Sequence, residues 1–269
     1  MSLFTLMQAA DFEQILFAFD HPSGLKAIIA IHDTTLGPAM GGVRFRPYES
    51  EEFALADVMR LSQAMTLKAS AAGLNLGGGS AVILADPVAG KSEALLRAFG
   101  RQVQGLCGRL YVAEDVGTSV EDMDTISLET SFVAGLQRSR GGSGDPGIKA
   151  ALGVIRGIQA CLKWVYGDPG LRGRHIAVQG IGSVGREVVR LAAEEGAKLT
   201  ISDHDLRRLE DLQLRHEVKI VPPEKILDVE ADVFCPCALG GILTEEVARR
   251  IPVKIVAGGA NNQLASEAV

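Results

Sequence analysis

The sequence predicts an α/β protein of two domains, the second built on a doubly wound parallel sheet. Strand and helix patterns alternate regularly after residue 148, which is typical of a parallel sheet with helices on both faces. The first half mixes strands and helices less regularly and favours a mixed sheet. Residues 137–147 are glycine-rich and nearly free of apolar side chains, as in a hinge. We therefore predict domains at residues 1–140 and 148–269, joined by a hinge at 137–147.

In the first half, helix start and stop signals are clearest around residues 51–72. Apolar residues recur there at helical spacing, with Ser50 as a candidate N-cap and Gly73 as a stop. Further helices are predicted over 92–106 and from Ser119 onward. Compact apolar runs predict strands at 27–32, 81–85 and 110–113.

The second half begins with a predicted long helix over 148–166. Apolar, β-branched runs then predict strands at 175–179, 198–202, 218–221, 231–235 and 254–257. Helices are predicted between them, the clearest at 184–195 and 205–216.

Composition indicates a folded protein and argues against several classes. With 269 residues, 47% hydrophobic and 22% charged, the chain can bury a large core. A net charge of −6 without a basic tract argues against a nucleic-acid partner. No apolar run is long enough for a membrane span, and no signal peptide is visible. The four cysteines (Cys107, Cys161, Cys235, Cys237) match no metal or disulfide framework. We expect reduced thiols in a cytoplasmic protein.

A glycine motif directly follows the predicted strand 175–179 and opens a helix. Among 31 glycines a G-x-G-x-x-G pattern can arise by accident, but its place between strand and helix makes it specific. In a Rossmann-type domain the first glycine permits a tight turn, the second lets backbone approach a pyrophosphate, and the third lets helix pack on strand. The predicted cofactor-binding residues here are Gly180, Ile181, Gly182, Ser183, Val184 and Gly185.

Asp203 ends the next predicted strand, at the usual distance from the glycines. Its carboxylate can accept hydrogen bonds from a ribose diol and would repel a 2′-phosphate, which predicts NAD rather than NADP. Arg207 and Arg208 follow closely, so NADP stays open as an alternative.

Further sequence motifs lie along almost the whole chain, at 37–44, 65–68, 68–83, 113–118, 237–240 and 260–264. In content and order they resemble the motifs of the leucine/phenylalanine/valine/glutamate dehydrogenase family, most nearly its leucine dehydrogenase-like branch. The resemblance implies an N-terminal substrate domain, a C-terminal NAD-binding domain and oxidation at the CH–NH2 group of an amino acid.

The resemblance also implies roles for individual residues. Lys68 would bind the α-carboxylate, and Asp115 would act as a catalytic residue near the amine nitrogen. Gly41, Gly42 and Asn262 would contact the substrate, while Met40, Met65 and Ala113 would line an apolar side-chain pocket. Ala238, Leu239, Ala260 and Asn261 would contact the cofactor. The expected ligand is therefore a small apolar amino, keto or imino acid.

Ser80 departs from the family pattern, because it stands where a glycine-rich turn would present the catalytic lysine. A serine hydroxyl is hardly ever ionised near neutral pH and cannot replace that base. Ala150 falls where a threonine is usual near the nicotinamide amide, and the chain stops at Val269, before the family's C-terminal segment. We therefore expect a Rossmann domain truncated at its C-terminus and an open cleft.

Several readings remain open at this stage. The chain is an amino-acid dehydrogenase of reduced activity, or an enzyme that reduces a preformed imine. Alternatively, it is a catalytically silent paralogue acting as a partner or regulatory subunit, or an engineered or shortened form of an ordinary dehydrogenase. We expect a homo-oligomer, a dimer or larger, in which the apolar strand 27–31 could mediate assembly.

Overall fold

The computed structural model describes residues 2–266 and Val269. The predicted domain ranges also include Met1, Glu267 and Ala268, which lie outside the described residues. The chain divides into two compact units, the first ending at Asp145 and the second beginning at Pro146. This division falls inside the glycine-rich segment 137–147.

The N-terminal unit is a five-stranded mixed sheet with helices on both faces. Its strands are β1 (Gln14–Asp20), β2 (Leu25–Asp33), β3 (Ala39–Arg46), β4 (Gly77–Leu84) and β5 (Leu110–Glu114). Its helices are α1 (Leu3–Ala9), α2 (Glu51–Ala71), α3 (Glu93–Gly105) and α4 (Val120–Ile126). The sheet order is β1-β2-β4-β3-β5, with β3 parallel to both β4 and β5 and the other pairs antiparallel.

Two apolar clusters cover the faces of this sheet. The larger one packs α3 and α4 on one face, with Phe45 and Phe99 fully buried. The smaller one packs α2 on the other face, around Val58 and Val82. The predicted caps of α2 are confirmed: the Ser50 side chain accepts a hydrogen bond from Phe53 N, and Gly73 follows the helix in the left-handed region at φ 67°.

The glycine run before Ser80 was predicted to form a turn, and that prediction is wrong. Gly77–Ser80 is the first half of β4, and Ser80 pairs with Ala30 of β2. The glycines are needed because neighbours come unusually close. A Cβ on Gly77 would lie 1.9 Å from Asp33 O, and one on Gly78 would lie 2.2 Å from Thr66 N of α2. The run is therefore a tightly packed strand.

The predicted role of 27–31 in assembly is also unsupported by its place in the sheet. These residues belong to β2, which lies between β1 and β4 and is almost fully buried. The sequence pattern did not predict β1, which is the strand at one of the two edges of this sheet.

The C-terminal unit is a five-stranded, all-parallel sheet of order β10-β9-β6-β7-β8. Its strands are β6 (His175–Gln179), β7 (Lys198–Ser202), β8 (Val218–Ile220), β9 (Val233–Pro236) and β10 (Ile255–Val256). Its helices are α5 (Gly147–Tyr166), α6 (Ser183–Glu194), α7 (Leu206–Arg215) and α8 (Glu245–Arg250), with a short 3₁₀ helix at Pro223–Asp228. Apolar clusters on both faces confirm the predicted doubly wound α/β arrangement.

Cys235 and Cys237 lie at the end of β9 with their Sγ atoms 3.6 Å apart. A disulfide needs about 2.05 Å, so both remain thiols. None of the helices formed by residues 2–266 is both long and apolar enough to cross a membrane.

Candidate active site

Ser80 lies at the centre of the N-terminal sheet and is 1% exposed. Its hydroxyl sits beside Gly41 of β3, where an added Cβ would come within 2.6 Å of Ser80 Oγ. Among residues 2–266, no side chain or backbone group forms a hydrogen bond with this hydroxyl. A side chain on Gly41 would therefore collide with the Ser80 hydroxyl and with Gly79 O, so only glycine fits at position 41.

Asp115 follows β5 directly and packs against the next glycine of β3. A Cβ on Gly42 would lie 2.6 Å from Asp115 Cβ, so only glycine fits there. Asp115 N donates a hydrogen bond to Thr118 Oγ1 (2.9 Å), and Thr118 Oγ1 donates to Val43 O (2.8 Å). Consecutive glycines of β3 thus contact Ser80 of β4 on one side and Asp115, after β5, on the other.

A buried ion network, which the sequence analysis missed, holds the Asp115 side chain. Arg44 Nε donates to Asp115 Oδ2 at 2.9 Å, and Arg44 Nη1 donates to both oxygens of Asp57 at 3.0 and 2.9 Å. Tyr48 Oη donates to Asp57 Oδ2 at 2.7 Å. Burial alone would lower the pKa of Arg44, but the charges of Asp115 and Asp57 outweigh it and raise that pKa. Burial and the bond to Asp57 raise the pKa of Tyr48. The signal in the sequence that could have indicated this network is the position of Arg44 inside a mainly apolar strand.

Lys68 occupies the last turn of α2 and is exposed. Within the described chain its ammonium forms no ion pair. Two residues earlier, Thr66 packs on Gly78, which lies two residues before Ser80. This contact places the end of α2 over the first part of β4. Met40, Met65 and Ala113 are all partly exposed.

Glu114, the last residue of β5, is a second group that the sequence analysis overlooked. Burial, the charge of Asp145 and a side-chain hydrogen bond with it raise the pKa of Glu114 from 4.5 to about 7. Glu114 therefore holds a proton over part of the neutral range, directly beside Asp115.

In the C-terminal unit, the glycine motif forms the predicted strand–turn–helix. Gly180 has φ 88°, and a Cβ there would meet Ala238 Cβ at 2.7 Å. A Cβ on Gly185 would lie 1.9 Å from Gly180 O, so the helix packs directly on the turn. By contrast, a Cβ on Gly182 would have no atom within 4 Å. The middle glycine faces open space at the start of α6.

Asp203 braces this turn from the end of β7. Its carboxylate accepts hydrogen bonds from Ile181 N at 2.6 Å and Asp205 N at 2.8 Å. The arginines behind it are directed mainly to Asp205: Arg207 Nε lies 3.2 Å and Arg208 Nε 3.6 Å from that carboxylate.

Two later loops meet the same end of the sheet. Gly240 packs on Asn261 and Asn262, and Gly241 N donates to Asn262 O at 2.7 Å. Ala260 N donates to Pro236 O at 2.9 Å, which ties this segment to β9. The predicted residues Ala238, Leu239, Ala260, Asn261 and Asn262 are thus gathered near the glycine turn of this unit. Ala150 is exposed in the first turn of α5.

Two buried polar atoms at this edge lack partners. Gln179 Oε1 and Ser202 Oγ end β6 and β7 at paired positions and form no hydrogen bond within the described chain. Buried polar atoms without a partner are uncommon in folded proteins and need an explanation.

Comparisons with known proteins agree with this architecture. Residues 13–132 match the family model "Glu/Leu/Phe/Val dehydrogenase, dimerisation domain", and residues 204–269 match "Glutamate/Leucine/Phenylalanine/Valine dehydrogenase". Leucine dehydrogenase of Geobacillus stearothermophilus is 50% identical over 264 residues, which are 98% of this chain and 72% of that protein.

Two solved structures are similar over nearly the whole chain. L-tryptophan dehydrogenase from Nostoc punctiforme is 41% identical with a TM-score of 0.68, covering 99% of this chain and 75% of that one. A hetero-hexameric glutamate dehydrogenase from Thermus thermophilus is 26% identical with a TM-score of 0.78, covering 96% and 69%. With two family models in sequence order and half of all residues shared with a curated relative, this chain belongs to the Glu/Leu/Phe/Val dehydrogenase family.

Proposed function

We propose that this chain is an NAD-dependent oxidoreductase acting on the CH–NH2 group of an apolar L-amino acid, or on its imine. The observation that carries the proposal is the fixed carboxylate of Asp115 beside the glycine pair of β3 and the exposed Lys68 at the end of α2. An ammonium at 68 suits a carboxylate, and a carboxylate at 115 suits an amine.

The residues expected at the substrate side chain support an apolar substrate. Met40, Met65 and Ala113 are apolar and partly exposed. The guanidinium of Arg44 already binds two carboxylates and is therefore not available to the side chain of an acidic substrate. The relatives named leucine and tryptophan dehydrogenase fit the same class.

The glycine turn fits a dinucleotide. Gly182 leaves open space at the N-terminus of α6, where backbone amides can meet phosphates. Asp203 can accept a ribose hydroxyl, and its neighbouring arginines are directed mainly to Asp205. The unpartnered Gln179 and Ser202 atoms are consistent with a polar ligand at this edge. NAD would supply the acceptor for the hydride that leaves Cα.

Ser80 limits what the chain's own residues can do. Hydrolysis of an imine requires a base that activates water, and Ser80 supplies only a neutral hydroxyl in a buried position. Loss of a positioned general base typically lowers the rate by about two to four orders of magnitude. Lys68 and Asp115 remain able to bind the carboxylate and the nitrogen. Reduction of a preformed imine needs no activated water and is the less affected reaction.

A catalytically silent partner subunit is the second candidate. It is favoured by the same residue, because the neutral hydroxyl of Ser80 supplies no base that could activate water. The structurally similar glutamate dehydrogenase described as hetero-hexameric contains subunits that differ in sequence. Such an assembly can combine an active chain with a binding chain.

Self-association is proposed to involve β1 rather than β2. β1 is an edge strand carrying Phe17 and Phe19, which are 54% and 65% exposed. Apolar edge strands readily pair with another chain. Light scattering on Phe19→Glu should show a smaller species than the unchanged protein; an unchanged mass would place the interface elsewhere.

The free thiols also agree with a reducing, cytoplasmic location.

NADH formation from a panel of apolar L-amino acids, with the unchanged chain and Ser80→Lys side by side, tests the proposed function. We expect Ser80→Lys to turn over at least about 10²-fold faster. If both are silent while calorimetry shows NAD binding, the enzyme proposal fails and the partner-subunit proposal gains support. If NAD does not bind even at millimolar concentration, the cofactor proposal fails.

A further inference from the structure

A buried arginine in β3 joins two carboxylates that belong to different elements. The Arg44 side chain is only 5% exposed. Its Nε binds Asp115 after β5, and its Nη1 binds Asp57 on α2. Because guanidinium is planar and its donors are fixed in direction, holding one carboxylate fixes the angle at which it meets the other.

The α2 side of this arrangement is itself braced. Asp57 Oδ2 accepts a hydrogen bond from Tyr48 Oη as well as from Arg44. Both carboxylate oxygens of Asp57 accept a hydrogen bond from Arg44 Nη1, at 3.0 and 2.9 Å. The guanidinium is therefore anchored on a long helix and cannot follow Asp115 if that side chain rotates.

On the other side, Asp115 has one free oxygen. Its backbone N is held by Thr118, and its Cβ is confined by Gly42. Arg44 occupies Oδ2, while Oδ1 accepts no hydrogen bond from any residue in 2–266. The carboxylate thus has a single unoccupied acceptor, in an orientation set by Arg44.

Stability alone is a weak reason for this network. Replacing a buried ion pair by apolar side chains of similar volume is often neutral or stabilising, because desolvation of the charges offsets their attraction. Here a single buried guanidinium binds two carboxylates that belong to different elements.

We propose that Arg44 is a positioning residue for Asp115: by binding Oδ2 it directs Oδ1 toward the amine nitrogen of the bound amino acid. The inference rests on the proposed function and deepens it. Arg44 does not touch the substrate; it acts through Asp115, with Asp57 and Tyr48 holding it in place.

The kinetic test uses Arg44→Lys in the unchanged chain and in Ser80→Lys, with Arg97→Lys as the matched control. The Arg97 side chain is 43% exposed and pairs with Glu93 and Glu129 away from Asp115, so this substitution should not affect turnover. Lysine keeps the charge but loses the fork, so kcat should fall by about 10²-fold, as for a misplacement of about 1 Å, with a much smaller change in KM for leucine. In an Asp115→Asn background, Arg44→Lys should have no further effect; a full, additive loss there would refute the proposal.

A crystal structure of Arg44→Lys tests the orientation of the Asp115 carboxylate independently of catalytic turnover. We expect the Asp115 carboxylate to rotate from its place beside Gly42; an unmoved carboxylate overturns the inference even if kcat falls. Should Arg44→Lys fail to fold, Asp57→Asn removes the anchoring charge with little change in shape and should give a smaller rotation and loss. If no variant forms NADH, the proposed function fails, and the crystal structure still decides the role of Arg44.

Discussion

At the start of α6, Gly182 and Gly185 are expected to be needed for different reasons: Gly182 for ligand binding and Gly185 for packing of the helix. At Gly185 an added Cβ would lie 1.9 Å from Gly180 O, whereas non-bonded carbon contacts are normally about 3.5 Å or longer. The helix would have to move by more than 1 Å, and overpacking of this kind costs about 1–3 kcal/mol. At Gly182 no atom lies within 4 Å, and its φ of −79° suits alanine. Gly182→Ala should therefore leave the fold intact.

The expected outcomes differ between melting and binding. For Gly185→Ala the melting temperature should fall by roughly 2–12 °C, at about 2–4 °C per kcal/mol. For Gly182→Ala it should stay unchanged, while the Kd for NAD rises at least about tenfold, because the methyl group occupies the path by which a pyrophosphate approaches the backbone. Calorimetric titration with NAD and differential scanning calorimetry provide the two readings. Unchanged NAD affinity in Gly182→Ala would refute the assignment of this turn as the pyrophosphate site.

Three further predictions concern other parts of the chain. Gly42→Ala places a Cβ 2.6 Å from Asp115 Cβ, so both melting temperature and amino-acid turnover should fall; Gly105→Ala, with open space around its Cβ, is the control, and equal behaviour of the two would contradict the reasoning. In the folded protein the pKa of Glu114 is about 7, above the usual 4.5. The free energy of unfolding should therefore decrease as the pH rises from about 4.5 to about 7. Glu114→Gln should therefore melt with a flatter pH dependence between about 4.5 and 7 than the unchanged protein, and parallel profiles would exclude a proton on Glu114. Gly157→Ala, inside α5 and with no atom within 4 Å of its Cβ, should stabilise the chain by about 0.5–1 kcal/mol in chemical denaturation; destabilisation would mean that this helix face is covered.

Sequence patterns predicted most of the elements, since these follow from local signals. The strand at 175–179 and the helix from Ser183 agree with the structure to within a residue. The caps at Ser50, Ser92 and Ser119 are hydrogen-bonded as expected at helix starts.

The errors arose where tertiary contacts decide the structure. Consecutive glycines usually indicate a turn, yet Gly77–Gly79 are in β4 because Asp33, Thr66 and Leu110 approach too closely for side chains. No local pattern shows such approaches. The Arg44 network was missed for the same reason, since its partners lie 13 and 71 residues away along the chain.

The glycine-lined sheet end also constrains how this site can change. Beside Ser80 and Asp115, the wall formed by 41–42 and 77–79 consists of main chain, because a Cβ at any of these glycines would come within 3.0 Å of a neighbouring atom. Ser80 is the one position of that stretch of β4 with a side chain. A single replacement there changes the side chain beside Gly41 while the main chain around it stays the same, so the chemical character of this surface can vary at position 80 without a change of fold.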